Sequence, residues 1–484
     1  MDKDSELAIA KLYYTKTLST KRPNMAEEEF HIAMFPWFAM GHTIPYIHLA
    51  NELAARDLRI SILLPNNSSL NLQHQNLHPN LISFRSLPVP DVEGLPPGTE
   101  TVSDIPFSDH HLVAISMDLM RQQVEQILTA IKPNLVLFNF AYWIPDIAKQ
   151  LGSKSVMYNV VSATAIAFVL ASARKVPKDR VMKEEELKEI PSGYPSSTVV
   201  LRGYEFASLN GILMPFGYGN ISFYDRKTTA MRNCDALAIR TCRELEGKYC
   251  DYIRTQYGKS VLLTGTALPK PDNSTRLEDR WDKWLSRFER DSVVFCVFGS
   301  QCTLENDQFR ELILGFELTG LPFLAALKPP VGCTTVEEAL PEGFEERLEG
   351  RGVVFGGWVQ QTQILSHASV GCFVNHCGFG SMWEGLMSDN QIVLVPNLGD
   401  QIMNSRLLVE ELKVAVEVEK DEKGWFSKEN LSRAIRCVMD KDGEVGIMVK
   451  KNHAKLKEVL EKPGLMDRYI DEFVQNLQEL VKLS

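Results

Sequence analysis

Short apolar runs that alternate with amphipathic stretches constrain this chain more than any other feature of its sequence. The runs HIAMFPWF (31–38), RISILLP (59–65), LVLFNF (135–140) and SKSVMYNV (153–160) have the length of strands, and their nearly continuous hydrophobicity is typical of strands buried on both faces. A helical stretch, IPYIHLANELAARD (44–57), follows the first run. Because parallel neighbours need a crossover between them, this order predicts a parallel sheet with helices on both faces.

The same rhythm returns in the second half of the chain. Strand candidates such as DSVVFCVFGS (291–300) and QIVLVPN (391–397) alternate there with helical stretches such as DQFRELILGFELTG (307–320). The chain has 484 residues, whereas single cores stop growing at roughly 250–300 residues. We therefore expect an α/β protein of two Rossmann-like, doubly wound domains. Neither half carries a GxGxxG motif after its first strand, which argues against a nicotinamide-dependent dehydrogenase.

Shifts in composition divide the chain into segments. The Pro-, Asp- and Asn-rich stretch 268–281 is predicted to link an N-terminal domain, residues 29–267, to a C-terminal domain, residues 282–463. Residues 1–28 have no apolar h-region and are expected to form a flexible leader rather than a transit peptide. The helical periodicity of residues 464–484 predicts a last helix that packs back on the N-terminal domain.

Charge, hydropathy and cysteine spacing argue against several classes of protein. The chain carries 52 Lys and Arg against 62 Asp and Glu and has no basic run, which argues against a nucleic-acid partner. Its longest apolar stretch, residues 160–173, is too short to span a bilayer. The nine cysteines lack CxxC spacing, which suggests reduced thiols, a cytoplasmic location, and neither a disulfide framework nor a zinc site.

One stretch of the second half, FVNHCGFGSMWEGL, has the features of a ligand site. It is predicted to form a strand, a turn with Gly378 and Gly380, and a helix. Small residues let a ligand approach the backbone, and the free N–H groups at a helix N-terminus attract phosphates. His376 and Ser381 add side-chain donors, and the Glu384 carboxylate can accept hydrogen bonds from hydroxyl groups. The stretch suits a sugar nucleotide, although on its own it is equally compatible with an ordinary strand–turn–helix connection.

A longer segment around this stretch, from Trp358 to Gln401, reads WVQQTQILSHASVGCFVNHCGFGSMWEGLMSDNQIVLVPNLGDQ. It closely resembles the donor-binding signature of the plant secondary-product (family 1) UDP-glycosyltransferases, which is specific because it fixes many positions over a long span. The resemblance extends over roughly residues 30–480. It implies a GT-B fold, in which two Rossmann-like domains face each other across a cleft, with the donor site in the C-terminal domain and the acceptor site in the N-terminal domain.

The resemblance also implies roles for individual residues. Trp358 would stack on uracil, the Val359 backbone would meet the edge of the base, and Gln361 and Glu384 would hold the ribose hydroxyls. The other positions implied to bind the donor are His376, Gly378 and Ser381 at the diphosphate, Gly380 in the same turn, Ser300 at a phosphate or the sugar, and Asp400 and Gln401 at the donor sugar.

One departure narrows the resemblance to a branch of the family. The family commonly has Trp-Asn-Ser where this chain has Phe379-Gly380-Ser381, so one side-chain contact to the donor is missing. The sequence HCGFGSMWEG looks instead like the branch that adds a second sugar to a flavonoid or related glycoside. Gln401 favours glucose in the wider family, but this branch also includes users of xylose, arabinose and rhamnose. The identity of the donor sugar therefore stays open.

A single histidine, His42, lies between the first strand and the first predicted helix, in the sequence GHTIP. In an open parallel sheet, ligands bind beyond the carboxyl ends of the strands, which is where this histidine is expected. A lone histidine in a turn is more often structural, but at this place, upstream of the signature, the resemblance implies a general base. It would take the proton of the acceptor hydroxyl during attack on the anomeric carbon, and a single displacement inverts that carbon.

The residue expected to hold this histidine is unusual. The family commonly places an aspartate at the end of the strand before WIP, whereas this chain reads LVLFNFAYWIP and has Asn139 there. An amide oxygen accepts the imidazole N–H and fixes its tautomer, but it offers no negative charge to the imidazolium. Asp146, expected in the following helix, is a possible substitute.

These features predict an inverting, metal-independent transfer of a sugar from a UDP-sugar to a flavonoid or terpenoid glycoside, which forms a sugar–sugar bond. Two alternatives stay open, an aglycone O-glucosyltransferase of the same fold and a UDP-sugar-binding protein with weak transferase activity. The DKD triplets at 2–4 and 440–442 lie in the leader and in a turn, and neither is expected to bind a metal. The expected partners are the UDP-sugar and a small-molecule acceptor, bound without a cofactor by a cytoplasmic monomer.

Overall fold

The computed structural model of the protein describes residues 30–177, 182–217, 219–268, 276–299 and 301–483. The predicted leader, residues 1–28, lies outside this part of the chain, as do residues 269–275 of the predicted linker. The last residues of the predicted linker are helical, because a helix begins at Asp279 and continues to Leu285.

The strands of the described residues form two parallel sheets and one short antiparallel hairpin. In chain order they are β1 (His31–Phe35), β2 (Arg59–Pro65), β3 (Ile82–Leu87), β4 (Leu135–Phe138), β5 (Lys154–Asn159), β6 (Pro215–Phe216), β7 (Ile221–Ser222), β8 (Ala236–Ile239), β9 (Val261–Leu263), β10 (Val293–Val297), β11 (Phe323–Ala326), β12 (Gly352–Phe355), β13 (Val370–Asn375), β14 (Gln391–Leu394) and β15 (Val416–Glu417).

Helices connect the strands and cover the faces of both sheets. In chain order the described helices are α1 (Met40–Ala54), α2 (Asn66–Asn71), α3 (His110–Leu119), α4 (Arg121–Ile131), α5 (Ile144–Gln150), α6 (Ala163–Val169), α7 (Glu184–Lys188), α8 (Ala207–Leu213), α9 (Phe223–Asn233), α10 (Arg243–Tyr257), α11 (Asp279–Leu285), α12 (Asn306–Thr319), α13 (Phe344–Leu348), α14 (Gln361–Leu365), α15 (Phe379–Met387), α16 (Asp400–Arg406), α17 (Lys428–Met439), α18 (Glu444–Leu460) and α19 (Leu465–Lys482). Short turns of tighter or wider helix lie at Gln73–Gln75, Val102–Asp104, Phe107–Asp109, Gly203–Phe206, Glu337–Ala339 and Leu407–Glu411.

Both sheets have the strand order of a doubly wound fold. The order is β3-β2-β1-β4-β5-β8-β9 in the N-terminal sheet and β12-β11-β10-β13-β14-β15 in the C-terminal sheet, and neighbouring strands are parallel throughout. The order reverses between β1 and β4 and between β10 and β13, where an open sheet forms a crevice beyond the carboxyl ends of its strands. The predicted class, α/β with two Rossmann-like domains, is confirmed.

Helix α1 begins earlier than the sequence predicted. The predicted helix starts at Ile44, but the observed helix starts at Met40, so His42 lies in its first turn rather than in a turn before it. The backbone N–H of His42 donates to the Ala39 carbonyl at 2.8 Å. Pro45 lies in the second turn, past the first N–H groups that have no partner within a helix, so its missing N–H leaves the Gly41 carbonyl without an i→i−4 hydrogen bond.

One hydrophobic core connects the two domains. It contains Phe168 of α6 together with Trp383 of α15 and Met403 of α16, all of which are buried. Helix α6 packs against α16, and α19 lies against β9 and α1 of the N-terminal domain. A Cβ on Gly265 would come within 2.7 Å of the Met466 sulfur, so α19 approaches the backbone after β9 closely. Apolar packing therefore fixes the placement of the two domains.

The C-terminal domain contains a helix contact that only glycine permits. Gly315 of α12 faces α17, and a Cβ there would lie 2.7 Å from a Leu431 methyl carbon and 3.1 Å from the Lys428 carbonyl oxygen. We expect Gly315→Ala to lower the melting temperature, because overpacking costs about 1–3 kcal/mol and outweighs the gain of about 1 kcal/mol in helix propensity. Thermal unfolding followed by circular dichroism measures the change.

Gly211→Ala in α8 is the matched control. A Cβ at Gly211 would meet no described atom within 4 Å, so this variant should keep or raise the melting temperature. Equal melting temperatures for Gly315→Ala and the unchanged protein would contradict the packing argument.

Candidate functional site

The crevice of the N-terminal sheet brings together two residues that are far apart in sequence. Strands β1 and β4 are parallel neighbours with Phe35 opposite Phe138, so the segments that follow them start side by side. His42 lies in the helix after β1, and Asn139 comes directly after β4. The Nδ1 atom of His42 is 3.0 Å from the Oδ1 atom of Asn139. Asp146, the possible substitute, is instead exposed on α5.

The hydrogen bonds of Asn139 determine the tautomer of His42. Its Nδ2 donates to the Tyr158 carbonyl at 2.8 Å, which turns Oδ1 towards the imidazole. An amide oxygen only accepts, so Nδ1 of His42 carries the hydrogen and Nε2 keeps its lone pair. Asn139 is fully buried, and this orientation is therefore held by protein groups alone. The arrangement leaves Nε2 as the basic atom.

A lysine that the sequence analysis missed completes this cluster. The Nζ atom of Lys227, on α9, lies 3.3 Å from the Asn139 carbonyl oxygen, 3.4 Å from Asn139 Oδ1 and 3.4 Å from Asn159 Oδ1. Burial, and then the positive charge of Lys227, hold the pKa of His42 well below its ordinary value, and the hydrogen bond to Asn139 offsets only part of this effect. His42 is therefore a neutral imidazole at neutral pH.

Aromatic side chains extend from this pair along the N-terminal domain. The ring centroids of Trp37 and Phe140 are 4.5 Å apart, those of Phe140 and Phe223 are 5.4 Å apart, and those of Phe216 and Phe223 are 4.8 Å apart. Phe140 adjoins Asn139 in sequence, so the series starts beside the histidine. Trp37 and Phe140 are buried in the core, whereas Phe216 and Phe223 are only partly buried. The rings of Phe216 and Phe223 are therefore the part of the series that a flat aromatic molecule can contact.

The crevice of the C-terminal sheet contains His376 between two glycines. A Cβ on Gly378 would lie 2.7 Å from His376 Nε2, and a Cβ on Gly299 would lie 3.0 Å from His376 Cε1. Only glycine fits at either position without displacing the imidazole. Burial lowers the pKa of His376 to about 4, so the ring is neutral at neutral pH. Its buried Nδ1 has no hydrogen-bond partner among the described residues.

The N-terminus of α15 lies directly after His376. Gly378 precedes the helix, and Gly380 and Ser381 belong to its first turn. Within the described residues no side chain caps this end, so the first backbone N–H groups are available to a ligand. A Cβ on Gly380 would meet no described atom within 4 Å, which leaves open space beside the turn. This end of the helix suits an anion.

Gln361 and Glu384 are brought together by α14 and α15. The Nε2 atom of Gln361 donates to the Glu384 carboxylate. Burial raises the pKa of Glu384 to about 7, against the opposing effects of Arg240 and of Gln361. Next to Gln361, the Val359 side chain is buried while the Trp358 indole is 77% exposed. An indole that is so exposed beside two partly buried polar groups is available for stacking.

The predicted sugar contacts lie at the start of α16. Burial raises the pKa of Asp400 to about 6. The side-chain oxygen of Gln401 accepts hydrogen bonds from the backbone N–H groups of Asn397 at 3.0 Å and Leu398 at 3.2 Å, which shapes the loop before the helix. Ser300, the other predicted contact, lies outside the described residues.

A second residue that the sequence analysis missed, Arg240, connects the N-terminal sheet electrostatically with the C-terminal domain. It follows β8 of the N-terminal sheet, is buried, and donates from Nε to the Thr266 carbonyl at 2.6 Å. Its positive charge lowers the pKa of Glu384 in the C-terminal domain. The charge of one domain therefore acts on a side chain of the other. No sequence motif marks Arg240 or Lys227.

Comparison with known proteins agrees with this geometry. The family model described as UDP-glucoronosyl and UDP-glucosyl transferase matches residues 345–460. UDP-glycosyltransferase 79B9 of Arabidopsis thaliana is 56% identical over 454 residues, which cover 94% of this chain and 98% of that protein. The anthocyanidin 3-O-glucoside 2'''-O-xylosyltransferase of the same plant is 55% identical over 455 residues, which cover 93% of this chain and 97% of that protein. The chain belongs to the UDP-glycosyltransferase family.

Solved structures have the same fold as this glycosyltransferase. The crystal structure of Glycyrrhiza uralensis UGT73P12, complexed with glycyrrhetinic acid 3-O-monoglucuronide, has a TM-score of 0.77 at 21% identity over 94% of this chain and 96% of that chain. UDP-glucose: anthocyanidin 3-O-glucosyltransferase in complex with UDP has a TM-score of 0.73 at 22% identity over 95% of this chain and 100% of that chain. The predicted GT-B fold and the predicted plant glycosyltransferase family are confirmed.

The sequence also predicts that neither DKD triplet binds a metal and that no apolar stretch spans a bilayer. Within the described ranges, no three His, Cys, Asp or Glu side chains are grouped so that they could hold a metal ion. In the second DKD triplet, after α17, Asp440 Oδ1 accepts a hydrogen bond from the Asp442 N–H at 3.0 Å. The described part of the chain has no helix with the length and apolarity needed to cross a membrane.

The raised pKa of Glu384 predicts a pH-dependent cost to stability. A carboxyl with a folded-state pKa of about 7 binds its proton more tightly in the folded than in the unfolded chain, so stability falls as the pH rises from about 4.5 to 7. Glu384→Gln keeps an acceptor for Gln361 but cannot ionise. We expect the free energy of unfolding of this variant to exceed that of the unchanged protein by on the order of 2 kcal/mol at pH 8, which raises its melting temperature. At pH 5 the two proteins should differ much less.

Thermal unfolding at the two pH values measures this difference. Glu458→Gln, which changes an exposed carboxyl of α18, is the matched control and should show no such pH-dependent gain. A Glu384→Gln variant that gains equal stability at pH 5 and pH 8 would contradict the assigned cause.

Proposed function

We propose that this glycosyltransferase transfers a sugar from a UDP-sugar to a hydroxyl on the sugar of a flavonoid or related plant glycoside, with inversion and without a metal ion. The observation that carries the proposal is the neutral His42, whose Nδ1–H is bound by Asn139 and whose Nε2 is left basic at the crevice. Membership of the UDP-glycosyltransferase family supports the transfer of a sugar from a UDP-sugar as the class of reaction. The relative named anthocyanidin 3-O-glucoside 2'''-O-xylosyltransferase supports a glycoside acceptor.

The nucleoside part of the donor would bind at the start of α14. The exposed indole of Trp358 would stack on uracil, and the backbone of Val359 would hydrogen-bond the edge of the base. Gln361 and Glu384 already share a hydrogen bond and would hold the two ribose hydroxyls. These roles are supported by the position of the exposed indole beside this partly buried polar pair.

The diphosphate would bind at the N-terminus of α15. The free N–H groups after Gly378, the open space at Gly380, and the hydroxyl of Ser381 together form a cradle for anionic oxygens. A neutral His376 would donate a hydrogen bond to a phosphate rather than pair with it as a cation. The cradle therefore relies on backbone dipoles.

The donor sugar would lie between this cradle and the start of α16. Asp400 and Gln401 would accept and donate hydrogen bonds to its hydroxyls, and Ser300 is proposed as a further contact from the sequence. The identity of the sugar is left to the donor panel below. The same proposal includes a monomer that acts in the cytoplasm and needs no cofactor.

The acceptor would bind in the N-terminal crevice. The partly buried rings of Phe216 and Phe223 would offer a surface to a flat flavonoid, and the buried rings of Phe140 and Trp37 pack behind them, beside the base. His42 Nε2 would take the hydroxyl proton as that oxygen forms a bond to the anomeric carbon. The bond from this carbon to the UDP oxygen breaks, and UDP leaves with the electron pair from the opposite face.

A specific observation favours a second candidate, a UDP-sugar-binding protein with weak transferase activity. His42 is held by an amide rather than a carboxylate, and Lys227 places a positive charge next to the same amide. Both features disfavour the imidazolium that base catalysis produces. This candidate predicts that UDP-sugars bind while no acceptor is turned over.

The proposed function is tested by a matched acceptor pair. A flavonol and its 3-glucoside are each incubated with UDP-glucose, UDP-xylose, UDP-arabinose or UDP-rhamnose, and the products are identified by mass spectrometry. We expect one donor to give a disaccharide product from the 3-glucoside. His42→Ala should lower that rate by about 10²–10⁴, because a positioned general base contributes this much, while UDP binding is retained.

The other outcomes of this assay decide against the proposal. Turnover of the free flavonol alone would indicate an aglycone glucosyltransferase. Binding of UDP-sugars in a thermal-shift assay without any product would favour the weak-transferase candidate. Full activity of His42→Ala would show that His42 is not the general base.

Trp358→Ala tests the nucleotide site separately. Base–aromatic stacking is worth about 1–3 kcal/mol, so the dissociation constant for UDP should rise by roughly 5- to 150-fold in calorimetry. The indole is 77% exposed, so the melting temperature should not fall. Trp425→Ala, which removes a partly exposed indole of the same domain, is the control and should leave UDP affinity unchanged. Equal UDP affinities for both variants would rule out stacking at Trp358.

A further inference from the structure

The amino group of Lys227 contacts three oxygen atoms next to the proposed base. They are the carbonyl oxygen and Oδ1 of Asn139, at 3.3 and 3.4 Å, and Oδ1 of Asn159, at 3.4 Å. An ammonium group has three hydrogens and no acceptor, so three oxygens match it fully. Oδ1 of Asn139 also accepts the Nδ1–H of His42. One amide oxygen is therefore shared by the imidazole and the ammonium.

The neighbouring residues keep Lys227 in this place. Ser222 caps α9 through the Asp225 N–H at 3.0 Å. The next side chain, Arg226, is buried, pairs with Asp118 at 2.6 Å, and lies over the Phe216 ring. Arg226 therefore anchors one side of the helix, and Lys227 extends on another side to the ends of β4 and β5.

We propose that Lys227 is a positioning residue for the proton-transfer step, and that its ammonium is what makes a neutral amide, rather than a carboxylate, the partner of His42 in this chain. The inference rests on the proposed role of His42 as the base. It assigns to Lys227 two effects, which are to fix the Asn139 amide and to oppose a positive charge on His42.

The charges around the cluster support this assignment. Burial lowers the pKa of Lys227 to about 7, so the amine is an ammonium at the acidic pH values at which His42 would take up a proton. The ionisable neighbours on α1 and β5 are Tyr46 and Tyr158, whose pKa values are raised by burial, so both are neutral. Tyr46 donates to the same Tyr158 carbonyl that holds Asn139. Of the charged groups that act on His42, Lys227 is the one that disfavours its protonation.

The consequence is a coupling between positions 139 and 227. In Asn139→Asp, the new carboxylate would lie between His42 and Lys227, and the ammonium would neutralise much of its charge. Without the ammonium, the same carboxylate would act on His42 alone. The effect of Asn139→Asp on His42 should therefore be larger when Lys227 is absent.

The protonation of His42 is measured directly by NMR on protein with labelled histidine rings. His42→Gln identifies the signal by its loss. We expect no protonation of His42 down to pH 5 in the unchanged protein, and a titration midpoint about 1 pH unit or more higher in Lys227→Met, because a neighbouring cation has been removed. Lys227→Arg keeps the charge and should keep the low midpoint.

Two further variants separate charge from packing. Lys227→Gln keeps hydrogen-bond donors without the charge, so it should raise the midpoint as Lys227→Met does, and it replaces that variant should Lys227→Met not fold. Lys149→Met, at an exposed position of α5, is the matched control and should leave the midpoint unchanged. The Asn139→Asp change should raise the midpoint more in the Lys227→Gln background than alone. Equal midpoints with and without Lys227, or equal effects of Asn139→Asp in both backgrounds, would overturn the proposal.

Activity gives a second readout that a purely structural role would not produce. The base is active only when neutral, so a raised midpoint should make kcat/KM of Lys227→Gln fall at acidic pH where the unchanged protein keeps its activity. The KM for UDP-sugar should stay within about twofold, because Lys227 contacts the amides and not the donor site. Absence of transfer in the unchanged protein would defeat the proposed function, whereas the NMR midpoints would still decide the role of Lys227.

Discussion

The hydrogen bonds of the Asn139 amide are the interactions on which the proposed chemistry of this protein depends. The amide stands at the end of β4, between the helix that follows β1 and the carbonyl of Tyr158 on β5. Three parallel strands must be in register before these groups meet, so the tautomer of His42 is a product of the sheet. A misplaced β4 would lose the amide and the orientation of the base together.

Burial has the same effect on both halves of the candidate site. It lowers the pKa values of His42 and His376 and raises those of Glu384 and Asp400, so each group is biased towards its neutral form without ligand. Because His376 is neutral at neutral pH, a diphosphate beside it would not be held by an ion pair with the imidazole. In the proposed site it would be held by hydrogen bonds and by the dipole of α15.

The sequence predicts the central strands of each sheet better than the edge strands. It also predicts the residues of the motifs better than the residues that contact them in the folded chain. Central strands such as β1 and β13 are continuous apolar runs, whereas the edge strand β3 contains an exposed arginine, Arg85, and gives no such signal. The pairing of His42 with Asn139 follows from the order of β1 and β4. Lys227 and Arg240 come 88 and 101 residues after Asn139 and carry no motif, so only the folded chain brings them to the cleft. The predicted start of α1 at Ile44 places Pro45 in the first turn, where proline is common, whereas the observed helix contains Pro45 in its second turn.

The relative placement of the two domains matters because Arg240 of the N-terminal domain and Glu384 of the C-terminal domain interact electrostatically. Arg406 of α16 is one cause of that placement: it pairs with Glu205 of the N-terminal domain and with Glu417 of the C-terminal domain. This buried triad lies beside the apolar contact of α6 with α16, so the same helix that begins with Asp400 carries the link between domains at its other end. A shift of α16 would therefore move the proposed sugar contacts and loosen the domain contact at once. A cleft built in this way would tie the position of the proposed sugar contacts to the position of the proposed base.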